Sequence, residues 1–317
     1  MSSLPLFSST RASWLAGLSA VAVAGASAER AEGQALTPIT VACGLVEPHA
    51  AARYAAAQGF FRKHGLDAQI LTQNNGAANA AAVVGGTAQF GISNILQLAQ
   101  AHANNVSFKV VALGEVIDAK DARSGLIVAG NGGIATVRDL SGKTVAVSSP
   151  RGLDQLETAN FIDKQGGDSQ TVHFIEIPPT ASVAAVVENR IAAAVAVPPM
   201  LETALGNGMR SLGDIEGAIS PLWVPSGWFS TADYVQNYPD IVRRFVAAIY
   251  DAGAWALINR SAAADVLSKA LGSPVPRTYL RLATKTDPGL FQPPLDVAAH
   301  YAYVVATKAT DLMWSGA

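Results

Sequence analysis

From about residue 39 onward, two spacings of apolar residues alternate along the chain. Short continuous apolar runs, the length of buried strands, are followed by stretches with the three-to-four-residue spacing of helices. Residues 39–45 read as a strand, 50–64 as a helix carrying Tyr54, Phe60 and Phe61, and 66–71 as a second strand. Gly65 ends that helix, as glycine does after a last turn. A polar turn follows at 72–76, then a helix over 77–84 that stops at Gly85-Gly86. Residues 90–92 read as a strand, 94–104 as a helix capped by Ser93 or Asn94, and 108–116 as a strand. The order then restarts. Strands are expected over 125–129, 145–148, 172–177 and 191–197, with helices over 153–165 and 182–189 between them. Ser182 would cap the latter, and Pro198 or Pro199 would open another helix. From about 218 the pattern is mostly helical. Its clearest helix, 239–258, sets Val242, Phe245, Val246, Ile249 and Tyr250 on one side. Two such βαβ series predict an α/β fold with parallel sheets covered by helices on both faces, in two lobes around a cleft.

The N-terminal segment breaks this rhythm. Residues 14–28 are apolar and small, and Arg11 is the only side-chain charge up to residue 28. Ala26-Ser27-Ala28 fits the small-x-small pattern of export-signal cleavage. A signal peptide over 1–28 is therefore expected, with cleavage after Ala28, or after Ala35 at Gly33-Gln34-Ala35. The apolar stretch is shorter than the roughly 20 residues a membrane span needs. Cys43 lies too far on, inside a strand, to be a lipid-attachment cysteine. These features predict soluble export to an oxidising compartment. The lone cysteine excludes an intrachain disulfide and a cysteine-based zinc site. Half of the 317 residues are hydrophobic and 15% are charged, which supports a sizeable core and excludes a disordered chain. Net charge is -2 and no long basic run occurs, so nucleic acid is not an expected partner.

Ligands of open α/β sheets sit at the carboxyl ends of the strands, so loops directly after strands carry the candidate chemistry. Ser148-Ser149-Pro150-Arg151-Gly152 offers two hydroxyls, backbone donors ahead of a helix and one guanidinium. That set suits a carboxylate or sulfonate. Glu47 and His49, Gln73, Asn74 and Asn75, and Glu115 follow three strands of the first half and should rim the cleft. Ser93 and Asn94 cap a helix that opens on the same side. Trp223, in the aromatic and proline-rich stretch 222–228, is expected to cover the ligand's apolar part, while Trp228 packs in a strand. Glu47 or Glu115 could instead hold a neutral or cationic nitrogen heterocycle. Other chemistries are excluded. Gly142-Lys143-Thr144 has Val137 where a phosphate loop needs glycine, and it precedes a strand. The five histidines, His49, His64, His102, His173 and His300, show no metal-ligand spacing, so no metal or other cofactor is expected. Gly91-Ile92-Ser93-Asn94-Ile95 lacks the second glycine of a nucleophile elbow. No catalytic residue stands out.

Several segments in register resemble substrate-binding proteins of the nitrate/sulfonate/taurine/bicarbonate ABC-transporter family. They are Ala57-Gln58-Gly59-Phe60-Phe61-Arg62-Lys63-His64-Gly65-Leu66, Gly86-Thr87-Ala88-Gln89-Phe90-Gly91, Asp139-Leu140-Ser141-Gly142-Lys143-Thr144-Val145-Ala146-Val147, and the helix after Tyr238-Pro239-Asp240. Gln89 stands where the family has aspartate, and Ile191-Ala192-Ala193-Ala194 lacks its usual Asp-Ala pair. The resemblance, over about 37–317, implies a two-lobed type II periplasmic binding fold with the ligand in the interlobe cleft. Lobe I would comprise 37–117 and 218–317, lobe II 125–214, with hinge crossings at 118–124 and 215–217. It also implies a monomeric capture protein that serves an ABC permease and its cytoplasmic ATPase. Ligands across the family include sulfonates, nitrate, taurine, aromatic carboxylates and thiamine pyrimidine precursors. A biosynthetic enzyme or a sensor domain on the same fold are the other roles implied. The related pyrimidine-making branch carries a cysteine-rich motif that a one-cysteine chain cannot supply.

Overall fold

A computed structural model describes residues 35–317, apart from Ala122, Pro199, Pro276, Tyr279, Leu280 and Ala317. The expected signal peptide lies outside the described residues, as does Pro199 as a helix start. In chain order the first half runs β1 (Thr37–Cys43), α1 (Ala51–Ala57), α2 (Phe60–Lys63), β2 (Leu66–Thr72), α3 (Gly76–Val84), β3 (Phe90–Asn94), α4 (Ile95–Ala103), β4 (Phe108–Leu113) and β5 (Glu115–Asp118). The second series is β6 (Gly125–Val128), β7 (Thr144–Val147), α5 (Leu153–Lys164), β8 (His173–Glu176), α6 (Pro179–Val187), β9 (Ala193–Ala196), α7 (Met200–Gly206) and β10 (Arg210–Ser211). The remainder is β11 (Leu222–Trp223), β12 (Ser226–Thr231), α8 (Ala232–Asn237), α9 (Pro239–Ile258), α10 (Arg260–Leu271), β13 (Arg281–Leu282), α11 (Pro288–His300) and α12 (Ala309–Leu312).

Two five-stranded sheets result, with orders β2-β1-β3-β12-β4 and β10-β6-β9-β7-β8. Each mixes parallel and antiparallel pairs. In the first, β1 runs parallel to β2 and β3, and β12 is inserted antiparallel between β3 and β4. In the second, β7 is parallel to β8 and β9, and β6 is antiparallel to β9. A small sheet, β11-β5-β13, lies where the chain crosses between them. Helices cover both faces of each large sheet. Phe90 stacks on Phe245 of α9 at 3.8 Å between centroids on one face of the first sheet. Phe291 of α11 and Leu98 of α4 are buried on the other.

Four local expectations are corrected. The helix over 50–64 is two short helices, because Gly59 adopts φ 76° and breaks the first. The strand over 108–116 divides at Gly114, where a Cβ would collide with Ser226 Oγ of the inserted strand. The helix expected to start at Ser182 begins one turn earlier at Pro179, a residue suited to the first position. The Ser182 hydroxyl donates to the Pro179 carbonyl at 3.0 Å rather than capping. Finally, Trp223 lies in β11 rather than in a loop. Its ring is fully buried, and its Nε1–H donates to the Glu216 carbonyl at 2.9 Å.

Candidate functional site

A cavity of about 420 Å³ opens between the two large sheets, at the carboxyl ends of β3, β4, β7 and β9. One wall is the first turns of α4. Asn94 accepts from the Gln97 N–H at 2.9 Å and so caps the helix. Asn94, Gln97 and Gln100 recur at helical spacing and line the cavity together. The buried Ser93 hydroxyl donates to Gln97 Oε1 at 2.6 Å. That bond occupies the amide oxygen and fixes the orientation of the Gln97 NH₂ group. Glu115, directly after the Gly114 break, and Pro225 complete this side.

The facing wall is the loop after β7 and the start of α5. Ser148, Ser149, Arg151, Asp154 and Glu157 line it, with Val195 and Val197 from the end of β9. Part of the donor set expected here for an anion is already engaged, although the Ser148 and Ser149 hydroxyls are not. Asp154 accepts from the Ser148 N–H, and Gln155 Oε1 accepts from the Arg151 N–H at 2.7 Å. Arg151 sits at φ 56°, a left-handed conformation unusual for a residue with a side chain. Its guanidinium turns to the C-terminal segment, donating to the Ala302 carbonyl at 2.7 Å and lying 4.5 Å from the Tyr303 ring centroid.

Ser124 and Glu216 come from the two crossing segments and line the cavity as well. Ser124 donates to Asp214 at 2.5 Å and accepts from the Glu216 N–H at 3.2 Å, which ties the crossings together.

Carboxylates dominate the site's electrostatics. Burial pushes Glu115 up to about 8, reinforced by Glu216 and Glu47 and opposed by Arg123. Burial and Asp214 push Glu216 up to about 7, again opposed by Arg123. Glu157 is raised well above the ordinary carboxylate range by burial, then by Glu216, Asp154, Glu115 and Asp214. Arg123 is ion-paired with Asp121. At neutral pH the cluster therefore holds protons that isolated carboxylates would release.

Five of the residues expected from sequence line this cavity, Asn94, Glu115, Ser148, Ser149 and Arg151, and Ser93 stands directly behind the wall through its bond to Gln97. The rest lie elsewhere. Asn74 and Asn75 are exposed, and Asn75 caps α3 by accepting from the Ala78 N–H at 2.9 Å. Gln73 is half-buried after β2. His49 Nδ1 accepts from the Gly44 N–H at 2.9 Å, and burial lowers its pKa to about 4, so the ring is neutral. Glu47 stands near enough to act on Glu115 without lining the cavity. Trp223 supports Glu216 from behind instead of covering a ligand. Gln97, Gln100, Asp154, Glu157, Ser124 and Glu216 were missed. The three-residue spacings Asn94–Gln97–Gln100 and Asp154–Glu157 each put side chains on one helix face, a signal present in the sequence. Nothing local marked Glu216.

Residues 47–263, well over half of the chain, match the NMT1/THI5 like family. The chain belongs to that family. A relative in Brucella abortus (strain 2308), named only provisionally as a binding protein, is 25% identical to this NMT1/THI5-like chain over 222 residues. The match covers 68% of this chain and 66% of that protein, just under two thirds of its length. Among solved structures, the periplasmic aliphatic sulphonate binding protein SsuA from Escherichia coli superposes with TM-score 0.71 at 17% identity, covering 88% of this chain and 92% of its own. The desulfurization enzyme DSZB superposes with TM-score 0.61 at 15% identity, covering 87% and 95%. The NMT1/THI5-like chain thus has the two-lobed fold of periplasmic binding proteins, a fold that also carries an enzyme.

Proposed function

We propose that this chain is the extracytoplasmic solute-binding component of an ABC importer. It captures one small solute between its lobes and presents it to a membrane permease driven by a cytoplasmic ATPase, acting as an exported monomer and performing no chemistry. The observation that carries this reading is the cavity itself. Its size falls within the roughly 300–1,000 Å³ of small-molecule sites, and its lining is drawn from both sheets and both crossing segments. A solute there touches both halves of the molecule, so binding energy can be coupled to their closure.

A sulfonate or carboxylate ligand remains the second reading, favoured by the sulphonate-binding function named for SsuA. Within this chain its support is weaker. The Ser148 and Arg151 N–H groups are occupied by Asp154 and Gln155, and the Arg151 guanidinium is turned to Ala302 and Tyr303. The test is a thermal-shift and scattering series on protein refolded from urea to strip bound solute. A captured solute at a hundred times its Kd stabilises by about 2.7 kcal/mol and reduces the radius of gyration. A solute that is chemically converted, rather than returned unchanged, refutes the capture reading in favour of an enzyme.

A further inference from the structure

We propose that the cleft takes an organic cation, a protonated amine or amidinium whose N–H groups face Glu115, Glu157 and Glu216 and whose apolar body runs toward Val195 and Val197. The proposal rests on the capture reading above and names its solute class.

The first observation is Glu157. Its side chain lines the cavity, is 94% buried as a residue, and has no hydrogen-bond or ion-pair partner among the described residues. A buried, unpartnered carboxylate is costly to the fold. Its neighbours add to the cost, because Glu115, Asp154, Asp214 and Glu216 all act on it with like charge. Glu115 and Glu216 likewise carry no side-chain hydrogen bond among the described residues. Buried carboxylates set beside like charges cluster at functional sites. A ligand with N–H donors and positive charge supplies the missing partners in one step, and charge-assisted bonds of this type are among the stronger ones available.

The second observation concerns the distribution of these groups. Among the described residues, no three His, Cys, Asp or Glu side chains converge as they would around a metal ion. The carboxylates reach the cavity from separate elements, Glu115 from β5, Glu157 from α5 and Glu216 from the second crossing segment, which suits a molecule with several donors. The third is an apolar annex. A chamber of about 180 Å³ shares Ser148, Asp154, Val195 and Val197 with the main cavity and is otherwise lined mainly by apolar side chains, among them Ile177 and Met200. A charged head in the cavity and an apolar body in the annex use both.

The experiment is calorimetry on ligand-stripped protein with three probes of one shape: benzamidine, benzamide and benzoate. Agmatine and phenethylamine test other bodies, and taurine tests a sulfonate. The expected result is binding of benzamidine or one of the amines at least tenfold tighter than benzamide, with no binding of benzoate or taurine. Glu157→Gln, which keeps the side-chain shape, should weaken the cation at least tenfold while raising the melting temperature of the ligand-free protein. A side chain retained only for stability would lower it. Glu115→Gln provides the same two readouts at a second position. Binding of benzoate, taurine or benzamide in preference to the cations overturns the cation assignment and leaves capture standing. Silence across all probes overturns the cation assignment, and a native mass spectrum of periplasmic protein without any bound small molecule overturns capture with it.

Discussion

Replacing Glu115 by glutamine should stabilise the ligand-free protein at alkaline pH and leave it unchanged at acid pH. In the unfolded chain the carboxyl titrates near 4.5, and in the fold near 8. Between those values the native state holds a proton that the unfolded state has lost. Stability therefore falls as pH rises from 4.5 to about 8 and is level above that. Each pH unit between the two values is worth about 1.4 kcal/mol, giving a ceiling of about 5 kcal/mol. Glu115 lines a cavity that water enters, and Glu216 titrates in the same range near 7. Both reduce the effect of one substitution, to about 2–3 kcal/mol by the screening that partly solvated charges experience. Glutamine keeps the shape without the charge, so the variant should gain this amount at pH 9 and nothing at pH 4.5. For a chain this long the gain at pH 9 amounts to a rise of roughly 4–10 °C. The assay is thermal and urea unfolding of both proteins, stripped of solute, at half-unit steps from pH 4.5 to 9. A gap between the curves that is independent of pH, or a variant less stable than wild type at pH 9, would refute the reasoning.

Other substitutions probe the supports of the site. Gly76→Ala places a Cβ 2.6 Å from Ser93 Oγ and against Gln97 Oε1. It should displace Gln97 and weaken solute binding at least threefold, with stability within about 1 kcal/mol of wild type because alanine favours the helix; calorimetry and unfolding read the two effects separately. Tyr54 is 1% exposed and its hydroxyl has no hydrogen-bond partner among the described residues. Tyr54→Phe should leave stability equal or raise it by up to about 1 kcal/mol in urea unfolding, and a loss beyond that would show a partner for the hydroxyl. Arg151→Ala removes the bond to Ala302 and the contact with Tyr303. It should cost about 1–2 kcal/mol and expose the segment around 301–304 to limited proteolysis. Cys43 is fully buried and its thiol is pushed up to about 11. It should react with a thiol reagent at neutral pH only as fast as the protein unfolds, and rapid labelling of the native state would contradict its burial.

Much of the local structure was legible along the chain. The order of strands and helices followed from hydrophobic spacing, and Gly65 and Gly86 end helices at φ 71° and 75° as glycine permits. The cap of α4 could be narrowed to Ser93 or Asn94 because a short side-chain oxygen beside a helical pattern has one strong use, and the structure selects Asn94. These are properties of a few neighbouring residues, and a sequence contains them. Tertiary structure decided what depends on residues far apart. The local sequence of Ser226–Thr231 allows a strand but does not give its place, and packing inserts it between β3 and β4, more than a hundred residues upstream. That insertion puts Ser226 over Gly114, breaks the long strand there and aims Glu115 at the cavity. Arg151 was the obvious charge in the loop after β7, yet its partners, Ala302 and Tyr303, lie some 150 residues on. Glu157 and Glu216 are unremarkable letters in the sequence. Their chemistry comes from burial beside like charges, and that arises only when the two sheets and both crossing segments meet around one cavity.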